Sequence, residues 1–300
     1  MYKQQIHINW YMLISSLTGF FVSLFAHSVL PVLGMDTKTL FFENTANIVF
    51  LILVTAVPSV IYFTYNRNFA EFKENTFTQI KIWHVFMYIG IAIVLWCACT
   101  VLNSVINTWL YKIGFEQVEQ LERTKDMPAL IAGFISTCVV APVTEEFFYR
   151  GVLISGISKR GKAVAVILSS FLFAIAHGSL TIFVMPFVYG IVFALVAIKT
   201  KSIVPPIIMH AVCNILSWII LNADLFNINM ELMGYIVMLT GLVGIMAMML
   251  FAVTGIAKRI KLIPEIIIKS FVSFTDNIAW IFIIVIYILD NLTIHGGLYG

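Results

Sequence analysis

Residues 82–110 read IWHVFMYIGIAIVLWCACTVLNSVINTWL, without one aspartate, glutamate, lysine or arginine. A helix rises 1.5 Å per residue, so about 20 apolar residues cross a hydrocarbon core roughly 30 Å thick. This stretch is long enough to cross with some tilt. No water reaches the centre of a bilayer, so every backbone N–H and C=O there must be paired within the segment, which a helix achieves. One such run already places the chain in a membrane and makes it helical.

The rest of the chain agrees. Of its 300 residues 61% are hydrophobic and 11% charged, and the mean hydropathy is +0.99. Soluble domains carry about 25% charged residues, so a water-facing surface is excluded. Further apolar runs at 8–30, 45–65, 128–157, 163–178, 180–198, 203–222 and 232–256 predict an all-α bundle of about eight spans. A short ninth run, 277–289, lies between Asp276 and Asp290. Span 8–30 exceeds a signal-peptide core and lacks a small-residue cleavage site, so it is expected to be retained. Prolines 58, 142, 186, 205 and 206 mark expected kinks or helix starts. No internal repeat is visible, and the net charge of +3 is too small to imply nucleic acid. The expected partner is the lipid bilayer itself. Cys97, Cys99, Cys138 and Cys213 all fall in apolar runs and read as core residues.

Loop cations orient the chain. With eight spans one side receives Lys3, Arg67, Lys73, Lys81, Lys159, Arg160, Lys162, Lys199, Lys201, Lys258, Arg259, Lys261 and Lys269. The other receives only Lys38, Lys112, Arg123 and Lys125. The bias puts the amino terminus in the cytoplasm, and the expected location is a bacterial plasma membrane.

Ionisable groups inside a span cost a few kcal/mol or more, which makes them functional candidates. The fourth span carries three of them in Thr144-Glu145-Glu146-Phe147-Phe148-Tyr149-Arg150. Glu146 and Arg150 share a helical face and can pair, whereas Glu145 points about 100° away with no cation at i±3 or i±4. A carboxylate left unpaired in apolar surroundings suits proton exchange with a water. The fifth span ends in Phe173-Ala174-Ile175-Ala176-His177, and the seventh carries His210 and Asn214 one turn apart. Glu145 and His177 stand equally far in sequence from the turn at Gly161, so a straight hairpin brings them to one depth, about 24 Å from that turn. His210 fits less well, at about 13 Å past its own turn. Either the Pro205-Pro206 start is sunk in the membrane or the Glu145 helix is broken near Pro142. His27 and His84 read as hydrogen-bonded core histidines; His7 and His295 read as peripheral.

In order and spacing, Glu-Glu-x-x-x-Arg at 145–150, Phe-x-x-x-His at 173–177 and His-x-x-x-Asn at 210–214 resemble the type II CAAX prenyl endopeptidase and bacteriocin-processing family (CPBP, or Abi). The resemblance covers about 125–225. It divides the chain into a three-span region 1–125, a CPBP-like catalytic core 126–225 and a carboxy-terminal part 226–300. What it implies is an intramembrane endopeptidase with a cytoplasm-facing site, acting on a membrane-associated or lipidated peptide. By position Glu145 and His177 would activate water, His210 and Asn214 would stabilise the oxyanion, and Glu146 and Arg150 would order the site. In a metalloprotease version Glu145, His177 and His210 would hold Zn2+; a metal-free Glu–His mechanism is equally compatible with the residues. No His-Glu-x-x-His, no aspartate pair within the eight spans and no Gly-x-Ser-x-Gly is present, so other protease chemistries find little support. Two other classes compete. One is a non-enzymatic bacteriocin-immunity or scaffold protein; the other is an ion-coupled transporter, disfavoured by the lack of an inverted repeat.

Overall fold

The structure, a computed structural model, describes residue 15 and residues 17–65, 80–112, 124–158, 161–177 and 182–253. Among these residues there are helices and no strand. They are α1 (17–32), α2 (40–65), α3 (Ile82–Lys112), α4 (Met127–Ile157), α5 (Lys162–Ile175), α6 (Val184–Thr200), α7 (Val204–Leu221) and α8 (Met230–Val253). Within the described residues each predicted apolar run overlaps one of these helices. The run 277–289, His7, His295 and the side chain of His27 lie outside the described residues.

The helix boundaries follow local chemistry. Thr39 caps α2, its hydroxyl accepting from the Phe42 N–H, so α2 begins five residues before the apolar run at 45–65. Asp126 caps α4 by accepting from the Ala129 N–H, with Pro128 in the first turn, where its missing N–H costs nothing. Helix α5 stops at Ile175, so His177 sits in a turn beyond the helix end. Gly161 (φ 132°) and Lys201 (φ 53°) reverse the chain before α5 and after α6.

Helices α2, α3, α4, α7 and α8 are long and apolar enough to cross a membrane, while α5 and α6 are shorter apolar helices of 14 and 17 residues. The chain is an integral membrane protein. Its exterior confirms the solvent: Trp83 is 78% exposed, Met246 69% and Phe86 60%, an apolar surface that only lipid tolerates on this scale. All four cysteines are buried and free. His84, read as a core residue, is instead exposed near the start of α3; it precedes the stretch of α3 that other helices cover.

Inside, α3 to α7 close around Phe173, Phe193, Leu153, Met209 and Trp96. Lipid tails are as apolar as leucine, so helices here are joined by close packing and polar links rather than by exclusion of water. Asn44 of α2 donates to the Ala129 carbonyl (3.1 Å) and Asn47 to the Ser136 hydroxyl (2.9 Å), both on α4. The Trp96 indole of α3 donates to Ser217 of α7 at 2.8 Å. Helix α8 lies against α3 at Gly241, where a Cβ would stand 2.6 Å from the Cys97 carbonyl oxygen and 2.7 Å from Val101. About two turns earlier, Gly234 meets nothing within 4 Å.

Those two glycines make a matched test. Gly241→Ala should force α8 off α3 and destabilise the protein by about 1–3 kcal/mol, the usual cost of overpacking. Gly234→Ala should leave stability unchanged or slightly raised. Thermal unfolding of both variants in the same detergent compares them directly.

Candidate active site

The site begins with a fault in α4. Pro142 has no N–H, and an interior proline normally breaks a helix. Here the backbone stays helical but widens: Ile135–Val140 is π-helical, Ala141–Glu146 is α-helical, and Phe147–Leu153 is π-helical again. The Ala141 N–H donates five residues back, to Ser136. The Thr137 carbonyl therefore loses its α-helical partner to Ser136, and its π-helical partner would be Pro142, which has nothing to donate. Asn214 of α7 fills the gap, its side-chain amide donating to the Thr137 oxygen at 2.8 Å. In place of the break expected near Pro142, α4 is thus continuous and widened. Pro205 and Pro206, at the start of α7, are fully buried within the protein.

Glutamate 146 occupies the centre. It is fully buried, and its Oε1 accepts from Arg150 Nη1 at 2.9 Å and faces His210 Nδ1 at 2.9 Å. A carboxylate oxygen that already accepts from a guanidinium can only accept again, so His210 Nδ1 carries the hydrogen. Nε2 then lies on the far side of the ring, 3.9 Å from Glu145 Oε2. Glu145 keeps 17% of its side-chain surface exposed, against none for Glu146. Two adjacent carboxylates thus have different roles by environment, one locked and one accessible.

Arg150 is boxed as well as paired. Its Nη2 donates to the Gly190 carbonyl of α6 at 3.3 Å. Its guanidinium lies 4.5 Å from the Phe173 ring, 5.5 Å from Phe193 and 5.8 Å from Tyr149, contacts that are attractive for a desolvated cation. Phe173 also meets the His210 ring (5.5 Å) and the His177 ring (4.9 Å). His177, exposed in its turn, directs Nδ1 at the Phe173 carbonyl, 2.7 Å away. A carbonyl accepts only, so His177 Nδ1 is the donor, and among the described residues Nε2 has no hydrogen-bond partner.

The structure therefore brings Glu145, Glu146, Arg150 and His210 into one connected group, with Asn214 one turn along α7. No hydrogen bond or ion pair joins the expected neighbours Glu145 and His177: among the described residues His177 bonds and packs to Phe173. The histidine that reaches Glu145 is His210, which straight-helix counting puts at a shallower level. The π-helical stretch Phe147–Leu153 shortens the rise between Glu145 and the loop, which straight-helix counting does not allow for. Sequence reasoning missed Gly190 and Thr137. Pro142 signalled that a nearby carbonyl would want a partner, but nothing marked Gly190.

Among the described residues no three His, Cys, Asp or Glu side chains gather at metal-ligating spacing. Nδ1 of His210 faces Glu146 and Nδ1 of His177 faces the Phe173 carbonyl, outer contacts that metal-ligating imidazoles also make, and Glu145, His177 and His210 are the residues that would hold Zn2+.

An intramembrane cluster of carboxylate, guanidinium and imidazole defines a membrane protein with a polar, chemically equipped interior. Residues 127–216 match the family model described as Type II CAAX prenyl endopeptidase Rce1-like. The matched stretch runs from the first residue of α4 into α7 and contains every member of the cluster. No curated protein and no solved structure matches the chain.

The Asn214–Thr137 link yields a double-mutant test. Asn214→Ala strands a carbonyl and should cost about 1 kcal/mol. In the Asn214→Ala/Pro142→Ala double variant the backbone N–H restored at position 142 supplies a donor, so the loss should be less than the sum of the single changes by roughly 0.5 kcal/mol or more. Denaturant unfolding of the four proteins gives the coupling.

Proposed function

We propose that the protein is an intramembrane endopeptidase that hydrolyses a CAAX-type, prenylated peptide with a water held at Glu145. The observation that carries the proposal is His210 fixed between two glutamates in the interior of a membrane bundle, Nδ1 on buried Glu146 and Nε2 toward accessible Glu145. The family match over 127–216 supports the reaction class. A purely structural ion pair would need Glu146 and Arg150 only; it leaves the accessible carboxylate of Glu145 without a purpose.

In this reading a water sits between Glu145 and the Nε2 atoms of His177 and His210. Glu145 takes one proton as the water oxygen bonds to the scissile carbonyl carbon. The tetrahedral oxyanion receives a hydrogen bond from the second Asn214 amide hydrogen, while His210 Nε2, its ring held by Glu146, accepts from the hydroxyl that the water has become. Collapse breaks the C–N bond, and the proton held by Glu145 passes to the leaving amine. Arg150 and Glu146 do not touch the substrate; they hold the His210 ring in orientation.

Three further features belong to the proposal. The chain crosses the membrane about eight times, α5 and α6 included. Its amino terminus is cytoplasmic, as the lysine and arginine distribution favours. The site opens to the cytoplasmic side, where soluble prenylated tails reach the membrane.

The test is a cleavage assay. Purified full-length protein in detergent is incubated with a synthetic peptide bearing a prenylated cysteine followed by three residues, and products are read by mass spectrometry. Release of the terminal tripeptide is expected. Glu145→Gln and His177→Ala should each lower the rate by about 10²–10⁴-fold, the range for removing a general acid or base. Folded wild-type protein that binds the peptide without cutting it would make this a binding protein. Full cleavage by Glu145→Gln would remove Glu145 from the chemistry.

A further inference from the structure

We propose that Gly190 is a positioning residue of the site, because the missing side chain lets α6 lie so close to α5 that its carbonyl anchors Arg150. The inference rests on the proposed function only in calling the arrangement catalytic. Its geometry stands alone.

Gly190 lies midway along α6, with negative φ, so backbone conformation does not demand glycine there. Space does. A Cβ at 190 would stand 2.7 Å from Ser170 Cβ, 2.8 Å from Ser170 Cα and 3.1 Å from Ser170 Oγ. One of those atoms is backbone, so a side-chain rotation cannot relieve the clash. Ser170 is itself fixed, fully buried with its hydroxyl donating to the Val166 carbonyl at 2.6 Å. Any substitution must therefore move α6 away from α5.

That movement has a chemical address. The Gly190 carbonyl accepts from Arg150 Nη2 at 3.3 Å, the long end of a hydrogen bond, while Arg150 Nη1 holds Glu146. A helix carbonyl normally accepts within its own helix, so this oxygen serves a second donor and tolerates little extra distance. Loss of the anchor frees one end of the guanidinium fork. Glu146 then shares its oxygen with a looser partner, and the Glu146–His210 bond that sets the imidazole tautomer loosens with it. The neighbouring Phe193, on the same helix, packs against both Arg150 and His210; it shifts in the same direction. Packing between α5 and α6 is in this way coupled to the orientation of a histidine on α7.

The experiment reads the imidazole directly. Full-length protein labelled with ring-15N histidine is purified in detergent, and the hydrogen-bonded Nδ1–H signal of His210 is assigned by its disappearance in His210→Gln. Gly190→Ala is expected to shift or broaden that signal. It should also lower kcat on the prenylated peptide by roughly tenfold to a hundredfold, the scale for misplacing a catalytic group by about 1 Å, with KM within about twofold. Adding Ser170→Gly removes two of the three obstructing atoms and should restore part of both the signal and kcat together. Arg150→Lys, which leaves the α5–α6 contact alone but removes the fork, should disturb the signal likewise, and it decides the matter should Gly190→Ala not fold. An unchanged His210 signal in either folded variant overturns the proposal, as does a double variant that regains thermal stability without regaining the signal. If even wild-type protein cleaves nothing, the signal still reports on the anchor, so failure of this inference and failure of the protease reading are told apart.

Discussion

One oxygen atom organises this site. Oε1 of Glu146 faces the Arg150 guanidinium and the His210 imidazole at the same time, each at 2.9 Å, in a position shut off from solvent. A lone carboxylate could not be held ionised in such surroundings, and removing one partner of a buried pair typically costs about 3–5 kcal/mol. The arginine supplies the countercharge, the aromatic rings of Phe173, Phe193 and Tyr149 replace part of its hydration, and the histidine gains a fixed tautomer. Remove the carboxylate and a cation is stranded among rings. Remove the arginine and the carboxylate loses its countercharge, and with it the grip on His210.

The backbone is adjusted to serve that oxygen. In lipid no carbonyl can fall back on water, so each irregularity in a spanning helix needs a named partner. Pro142 in α4 leaves Thr137 without one, and Asn214 supplies it from α7. The same bond fixes the relative placement of α4 and α7, the helices that carry the glutamates and His210. Widened turns on both sides of Ala141–Glu146 set the angular position of Glu145 and Glu146. Their appearance beside a polar cluster fits the tendency of π-helical turns to mark functional sites. Asn47 of α2 grips Ser136 in the first of these turns, so the amino-terminal helices take part in holding the site although they contribute no candidate catalytic residue.

Much of this is legible in the sequence, for a physical reason. Hydrophobic runs of spanning length have few alternative structures in lipid, so the helices α2 to α8 lie where the runs predict them. Ionisable and strongly polar groups inside such runs are too costly to be incidental, which is why Glu145, Glu146, Arg150, His177, His210 and Asn214 stand out without any coordinates. The i,i+4 spacing of Glu146 and Arg150 foretells their ion pair, because a regular helical turn brings those side chains together. Less legible are the helix depths. The count that pairs Glu145 with His177 assumes 1.5 Å per residue throughout, and α4 does not obey it.

What the chain by itself determined is the solvent it lives in, the helical class, and the identity of the polar residues placed inside the bundle. Those follow from local composition and from hydrogen-bonding rules that apply along a single segment. Only the tertiary structure decided which histidine meets Glu145, that Asn214 completes the α4 backbone, and that a glycine on α6 anchors Arg150 through its carbonyl. Each of these depends on the distance and rotation between helices far apart in sequence, and a shift of one residue in register or one widened turn changes the partner. Spacing along one helix cannot carry that information, because contacts between helices are set by how closely their backbones approach.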